Sequence, residues 1–321
     1  MKMKNMKKSK TTLITILALA LACTPAMAGG VQDRQAQVKS MLWRVSQPAD
    51  DALDAAASPS AWLLGTLPFL NPENTPIDSL PAAVRNAMAV CGRIVFEADP
   101  ALVKDGERMM KLIEQSGGIY PPGQYDVFDQ FGEPFRSRLL NLTGQLGLPR
   151  RALSTFKPWL LAITLYGSLT IQAGYDPADT LDNAIYERAL AESIPTDYLT
   201  DPLSELRRID AMPVTAQKSL LIQIVREAFT FTGDVPLLID AWKAGDLAYI
   251  ARYQQDEWRG HSAAQRIMET EPKIEITRRL MRAIRGQDED TLYVVTTTLL
   301  AGVDGVLELF RQNGWRVERV E

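Results

Sequence analysis

Ala61-Trp62-Leu63-Leu64-Gly65-Thr66-Leu67, then the segment from Ser79 to Val90, then Arg93-Ile94-Val95-Phe96-Glu97-Ala98-Asp99 form the stretch that decides the fold. The first segment is an apolar run stopped by Pro68, the pattern of a buried strand that leaves into a loop, here through Asn71, Pro72 and Pro76. Ser79 is placed to cap a helix over 81–90, and Gly92 breaks it. The β-branched and aromatic residues of 93–99 form the next strand, closed by Pro100. Strand, helix, strand is the unit that builds parallel sheets.

Upstream, Met41-Leu42-Trp43-Arg44-Val45 reads as a short strand after a polar segment over 29–40, and residues 47–60, rich in Asp, Ala, Ser and Pro, read as a connecting loop. From Ala101 to about Ile284 the periodic stretches are helical, punctuated by Gly117-Gly118, Pro121-Pro122, Gly174-Tyr175-Asp176-Pro177, Pro195, Pro202 and Gly233. Strand pattern returns at 292–298, where Thr296, Thr297 and Thr298 read as a β-branched extension of the strand. Gly302-Val303-Asp304-Gly305 then opens a helix to Gln312, and residues 315–320 form a last strand. The expected fold is α/β: a central mixed sheet made by the N- and C-terminal strand-helix-strand units, with a large helical insertion over 101–285. Residues 29–321 form one domain in this reading.

The first 28 residues have the organisation of a secretory signal. Lys2, Lys4, Lys7, Lys8 and Lys10 precede an apolar run over 13–22, followed by Pro25 and the small-residue site Ala26-Met27-Ala28. The run is far shorter than the roughly 20 residues a membrane-spanning helix needs, and no later stretch is long or apolar enough. The expectation is a periplasmic or secreted protein, with lipidation at Cys23 as the alternative. Cleavage after Ala28 removes five of the 35 basic residues and none of the 39 acidic ones, taking the net charge from −4 to −9. That balance disfavours nucleic acid and anionic membrane as partners. Cys91 then remains as a lone thiol, with apolar neighbours that mark it as buried, so no internal disulfide forms.

Leu42-Trp43-Arg44-Val45, Trp62 to Leu67, Leu80-Pro81 and Val95-Phe96-Glu97-Ala98-Asp99 follow one another in a particular order and spacing. Lys157-Pro158-Trp159, Gly174-Tyr175-Asp176-Pro177 with Leu181-Asp182, and Ala241-Trp242-Lys243-Ala244-Gly245-Asp246-Leu247 come next. Gly302-Val303-Asp304-Gly305-Val306-Leu307 and Gly314-Trp315-Arg316-Val317 close the series. Together they resemble the TraB/PrgY/GumN family, also called TIKI-like, over nearly the whole chain beyond the signal. The resemblance implies an α/β fold of the EreA/ChaN-like type with two Gly-x-x-His motifs, one after an early strand and one after the late strand, building a metal-dependent hydrolase-like site. The departures fall at that site. Gly65-Thr66-Leu67-Pro68 ends in Pro where the first motif ends in His, and Thr296-Thr297-Thr298-Leu299 stands where the second reads Gly-x-Gly-His. Neither Pro nor Leu carries a donor atom for a metal. Leu199-Thr200-Asp201 replaces the family's Leu-Glu-Thr, and the Arg-Asn pair expected near Glu271-Pro272 is not evident.

Gly65, Thr66, Pro68, Asp99, Thr298 and Leu299 are therefore read as a vestigial pocket, with Glu97 as the one candidate catalytic residue, since it matches the family's Glu. Glu97 and Asp99, two apart at a strand end, are expected to face the same side, which leaves an all-oxygen divalent metal site open as the alternative. His261, the only histidine, has no partner at ligand spacing and reads as a surface or capping residue. No Gly-x-Ser-x-Gly elbow and no phosphate loop is present. Tyr120, Tyr125, Phe128, Phe131 and Phe135 read as core or as a lid over the sheet, and Asp288-Glu289-Asp290 as a solvated turn. The sequence thus supports a catalytically degenerate exported protein that needs no cofactor and binds a peptide or protein partner. The alternatives are a hydrolase or peptidase holding Mn, Co or Zn on carboxylates, and an accessory in envelope or surface-polymer assembly.

Overall fold

The computed structural model describes residues 39–47, 59–258 and 260–321; the signal segment, Cys23, residues 29–38 and most of the loop over 47–60 lie outside the described residues. A six-stranded sheet runs β4-β3-β5-β2-β1-β6. Its strands are β1 (Leu42–Ser46), β2 (Ala61–Thr66), β3 (Arg93–Phe96), β4 (Thr196–Tyr198), β5 (Thr291–Thr296) and β6 (Arg316–Arg319). β2, β5, β3 and β4 are mutually parallel, while β1 runs antiparallel to both β2 and β6. The first and last strands of the described residues, β1 and β6, enter this one mixed sheet, as the two strand-helix-strand units predict.

β5, at the centre, buries five consecutive residues, Thr291 to Val295, because helices cover both faces of a parallel sheet. On the helical side, α1 (Ala82–Val90), α2 (Gly106–Ser116), α3 (Phe135–Gln145), α4 (Arg150–Leu153), α5 (Pro158–Gln172) and α6 (Leu181–Ala191) precede β4. α7 (Pro202–Asp210), α8 (Val214–Glu227), α9 (Phe231–Lys243), α10 (Leu247–Glu257), α11 (Ser262–Gln265) and α12 (Glu271–Gly286) follow it. A π-turn over Arg266–Thr270 joins α11 to α12. α13 (Thr297–Leu300) and α14 (Val306–Gln312) complete the chain before β6. In α12, Ile276, Leu280 and Ile284 recur every four residues and are buried, the stripe of an amphipathic helix on the sheet. Each such side chain contributes roughly 1.5–3 kcal/mol.

Around Met110, Phe128, Trp159, Leu161 and Leu220 a second apolar cluster forms among the insertion helices. Phe128 is fully buried in it, Tyr120 and Tyr125 stack at 4.3 Å, and Phe131 lies 4.8 Å from Phe135. The aromatic segment is thus packing for the helical half and does not form a lid over the sheet.

The structure corrects four local readings. Ser79 does not cap α1: it ends a separate turn over Ile77–Ser79, and its hydroxyl donates to the Pro76 carbonyl, while Pro81 holds the N-cap position. β4 interrupts the helical insertion and pairs with β3, although three polar or aromatic residues after Pro195 carry too short a pattern to be read as a strand. Thr297 and Thr298 do not extend β5: the strand stops at Thr296, whose successors turn into α13. The acidic turn is also not merely solvated, since Glu289 pairs with Arg93 at 3.0 Å and Asp290 accepts from the Ser60 N–H.

Candidate functional site

Parallel strands end together, and in open α/β sheets ligands gather at their carboxyl ends. Here that edge brings Thr66 beside Thr296, in direct register, with Glu97 one residue beyond β3 on the other side of β5. The Glu97 N–H donates to the Val294 carbonyl, continuing the ladder, and its Oε2 accepts from the Thr296 N–H at 2.9 Å. Burial raises the Glu97 carboxyl above its ordinary value, against the lowering effect of the Thr296 N–H and hydroxyl, and the charge of Glu205 adds to the rise. Thr200, in the segment that departs from Leu-Glu-Thr, donates both its N–H and its hydroxyl to the Glu97 carbonyl. Asp201 caps α7 instead of reaching the site, by accepting from the Ser204 N–H.

A residue not singled out for chemistry joins this cluster. Asp182 sits in the first turn of α6, brought down to the sheet edge where the Leu181 N–H donates to the Leu70 carbonyl at 2.6 Å. Its Oδ1 is buried with no hydrogen-bond partner. Burial pushes the Asp182 carboxyl from 3.8 up to about 6, a hydrogen bond with the Thr66 hydroxyl opposes this, and the Glu97 charge reinforces it. The sequence signal was the Leu181-Asp182 landmark together with the helix-start Thr180, but nothing in one chain says that this helix points at the sheet edge.

Gly65 explains why the strand ends crowd together. A Cβ there would stand 2.8 Å from Thr297 Oγ1 and 3.0 Å from Leu300 Cδ1. Thr297 is fully buried and its hydroxyl has no hydrogen-bond partner. Trp242, from the middle landmark, closes the other side by donating its indole N–H to the Gly65 carbonyl at 2.8 Å.

The two positions at which the resemblance expects histidines differ in their surroundings. Pro68 is exposed in the turn after β2, whereas Leu299 is buried in the sheet core and Thr298 is half-buried in α13. Asp99 does not face Glu97. β3 ends at Phe96, so strand alternation does not carry through residue 99, and Asp99 caps a turn over Pro100–Lys104 by accepting from the Ala101 N–H. Its carboxylate pairs with Arg108 at 2.5 Å. The all-oxygen pair expected from residues 97 and 99 is therefore not assembled. Among the described residues no group of three or more His, Cys, Asp or Glu is close enough to hold a metal ion. Glu97 and Asp182 alone, with donorless Pro68 and Leu299, do not fit the ligand set of a transition metal.

His261 stands at the start of α11 without capping it, and Cys91 is buried with its thiol against the Met88 carbonyl. No helix among the described residues is long and apolar enough to cross a membrane.

Compared with protein families, the chain matches the model of the TraB/PrgY/gumN family over residues 41–319. No curated protein and no solved structure matches it.

Proposed function

Since this chain belongs to the TraB/PrgY/gumN family, we propose that it is an exported member whose strand-end site no longer carries out metal-assisted hydrolysis and which acts by binding a peptide or protein partner. The observation that carries this reading is the content of the site. Both positions where the resemblance expects histidine hold side chains without donor atoms, Pro68 and Leu299, and Thr297 and Leu300 pack on Gly65 near the end of β2. Glu97 is the one residue that keeps the family's chemistry, and its carboxylate is spent on the Thr296 N–H. Export is supported by the basic segment, short apolar run and Ala26-Met27-Ala28 site of the first 28 residues.

Two measurements test the reading. Purified protein equilibrated with Mn, Co or Zn and then freed of unbound ions is expected to retain no stoichiometric metal, and Glu97→Ala to leave that result unchanged. Metal retained one to one by the wild type and lost in Glu97→Ala would overturn degeneracy in favour of a carboxylate-bound hydrolase. N-terminal sequencing of protein from the envelope fraction is expected to begin at Gly29. An intact N-terminus in the cytoplasmic fraction would overturn export, and a lipidated Cys23 would replace free secretion with anchoring.

A further inference from the structure

A groove of about 580 Å³ runs between α10 and α14 on the β1–β6 side of the sheet. Its size falls within the roughly 300–1,000 Å³ of ligand sites. Trp43, Leu247, Ala251, Leu300 and Leu307 give it an apolar lining. Leu300 connects it to the strand ends, because α13 presents Leu299 and Thr297 to the sheet and Leu300 to the groove as well. Val303, 78% exposed at the lip, extends the apolar surface outward.

The charges around it are not those of the rest of the molecule. Among the described residues, Arg252, Arg311 and Arg319 line it against one acid, Glu308, in a chain whose net charge is −4. Arg319 is fixed in place: its guanidinium donates to the Ser40 and Gly245 carbonyls and lies 5.5 Å from the centre of the Trp43 ring. Those partners are neutral and leave its charge uncancelled. Arg311 meets Glu308 only loosely, at 3.4 Å, and Arg252 is exposed on α10. The groove therefore combines an apolar floor with a net positive rim, which selects an anionic ligand that also has apolar surface.

The shape and the remaining rim residues decide between kinds of anion. The groove is open to solvent and is not an enclosed cavity. From Leu247 to Gln255 the α10 wall is about 12 Å long at about 1.5 Å per residue. That length accommodates three to four residues of extended chain at about 3.3 Å each. Gln255 and Gln312 add amide groups to the rim, which match the donors and acceptors of a peptide backbone and have no counterpart on an acyl chain. We propose that this groove is a binding site for an acidic peptide segment, with apolar side chains on the Trp43–Leu307 floor and a carboxylate toward Arg252 and Arg311. The proposal rests on the reading of the chain as a binder and names the place and the chemistry of the partner.

A random hexapeptide library is selected on the purified protein, and the selected peptide, carrying a fluorophore, is titrated by polarisation against wild type, Arg252→Glu and Thr297→Val. The proposal expects selected peptides with Asp or Glu beside apolar residues, affinity lowered about five- to tenfold by Arg252→Glu, a similar loss when the peptide's acid is replaced by its amide, and no change in Thr297→Val. Circular dichroism melting confirms that the exposed Arg252 substitution leaves the fold intact. Selection of neutral or basic peptides, or indifference to Arg252→Glu, overturns the proposal. Binding that falls with Thr297→Val and not with Arg252→Glu also overturns it, while leaving the chain a binder at its strand ends. A library that yields no binder overturns both readings, and saturable binding of dodecanoate in the absence of peptide binding replaces the peptide with a fatty acid.

Discussion

Substituting Asp182 by Asn should change how the protein's stability depends on pH. The Asp182 carboxyl is buried beside Glu97, and its proton affinity rises from the ordinary 3.8 to about 6 on folding. At about 1.36 kcal/mol per tenfold change in proton affinity, this corresponds to about 3 kcal/mol. The sign follows from proton linkage. Between 3.8 and about 6 the folded protein holds a proton that the unfolded chain has released, so the stability from this group is complete below 3.8 and is lost as pH rises through about 6. Two other carboxylates act oppositely. Glu275 and Asp201 are held below their ordinary values, by hydrogen bonds from Arg279 and Ser204 respectively, and contribute stability as pH rises. These terms are common to both proteins and cancel in a comparison. Urea unfolding of wild type and Asp182→Asn at pH 4 and pH 8 should therefore show the variant gaining about 2.4 kcal/mol on the wild type between the two, since part of the effect is already lost at pH 4. Glu97 shares the effect, so Glu97→Gln should shrink the wild-type loss as well. Parallel pH curves for wild type and Asp182→Asn, within about 0.5 kcal/mol, would refute the claim that this carboxyl is forced to carry a proton.

Three further outcomes are expected. Gly65→Ala places a methyl group 2.8 Å from Thr297 Oγ1, and should cost about 1–3 kcal/mol in thermal unfolding, with part of the loss restored by adding Thr297→Ala. Lys273, 1% exposed, pairs with Glu269 at 2.7 Å and Asp304 at 3.0 Å. Lys273→Met leaves the buried Glu269 uncompensated, at a cost of about 3–5 kcal/mol, most of which Glu269→Gln in the same chain should recover when measured by urea unfolding. Cys91 is 6% exposed and burial pushes its thiol up to about 11, so a thiol reagent at pH 8 should modify it only when the protein is unfolded; prompt reaction in the native state would contradict this burial.

Most of the sheet was legible because its strands are marked by the strongest local signals. β2 and β5 are continuous apolar runs, and Pro68, Gly92 and Pro100 punctuate the chain where the elements change. What escaped depends on tertiary partners. β4 is three residues long and exists as a strand because β3 offers it an edge. Thr297 has every local reason to continue β5, yet Gly65 on the neighbouring strand admits it as the first residue of a helical turn packed across the sheet edge. Strand alternation put Glu97 and Asp99 together, and it failed because the strand ends before them and Arg108, nine positions along the chain, draws Asp99 away. Asp182 was visible as a landmark residue and invisible as a neighbour of Glu97, since 85 positions separate them in sequence.

On the proposed reading, the same cluster accounts physically for a strand-end site that lacks metal ligands and keeps the fold. A carboxylate at the buried end of β3 needs compensation, since an isolated charge there carries a large desolvation cost. Two devices in the structure supply it. The Thr296 N–H at 2.9 Å stabilises the charged form of Glu97, and the raised proton affinities of Glu97 and Asp182 let a proton supply what that hydrogen bond does not. A proton compensates charge as a metal would, but it offers no open coordination position and no activated water. On the proposed reading, Pro68 and Leu299 are compatible with the sheet but supply no metal donor, and Gly65, Trp242 and Thr200 make the contacts that hold the strand ends together. On this account, restoring histidines at 68 and 299 alone would not restore a site. Residue 68 is exposed in a turn while residue 299 is buried in the core, and Thr297 packs on Gly65 near the end of β2.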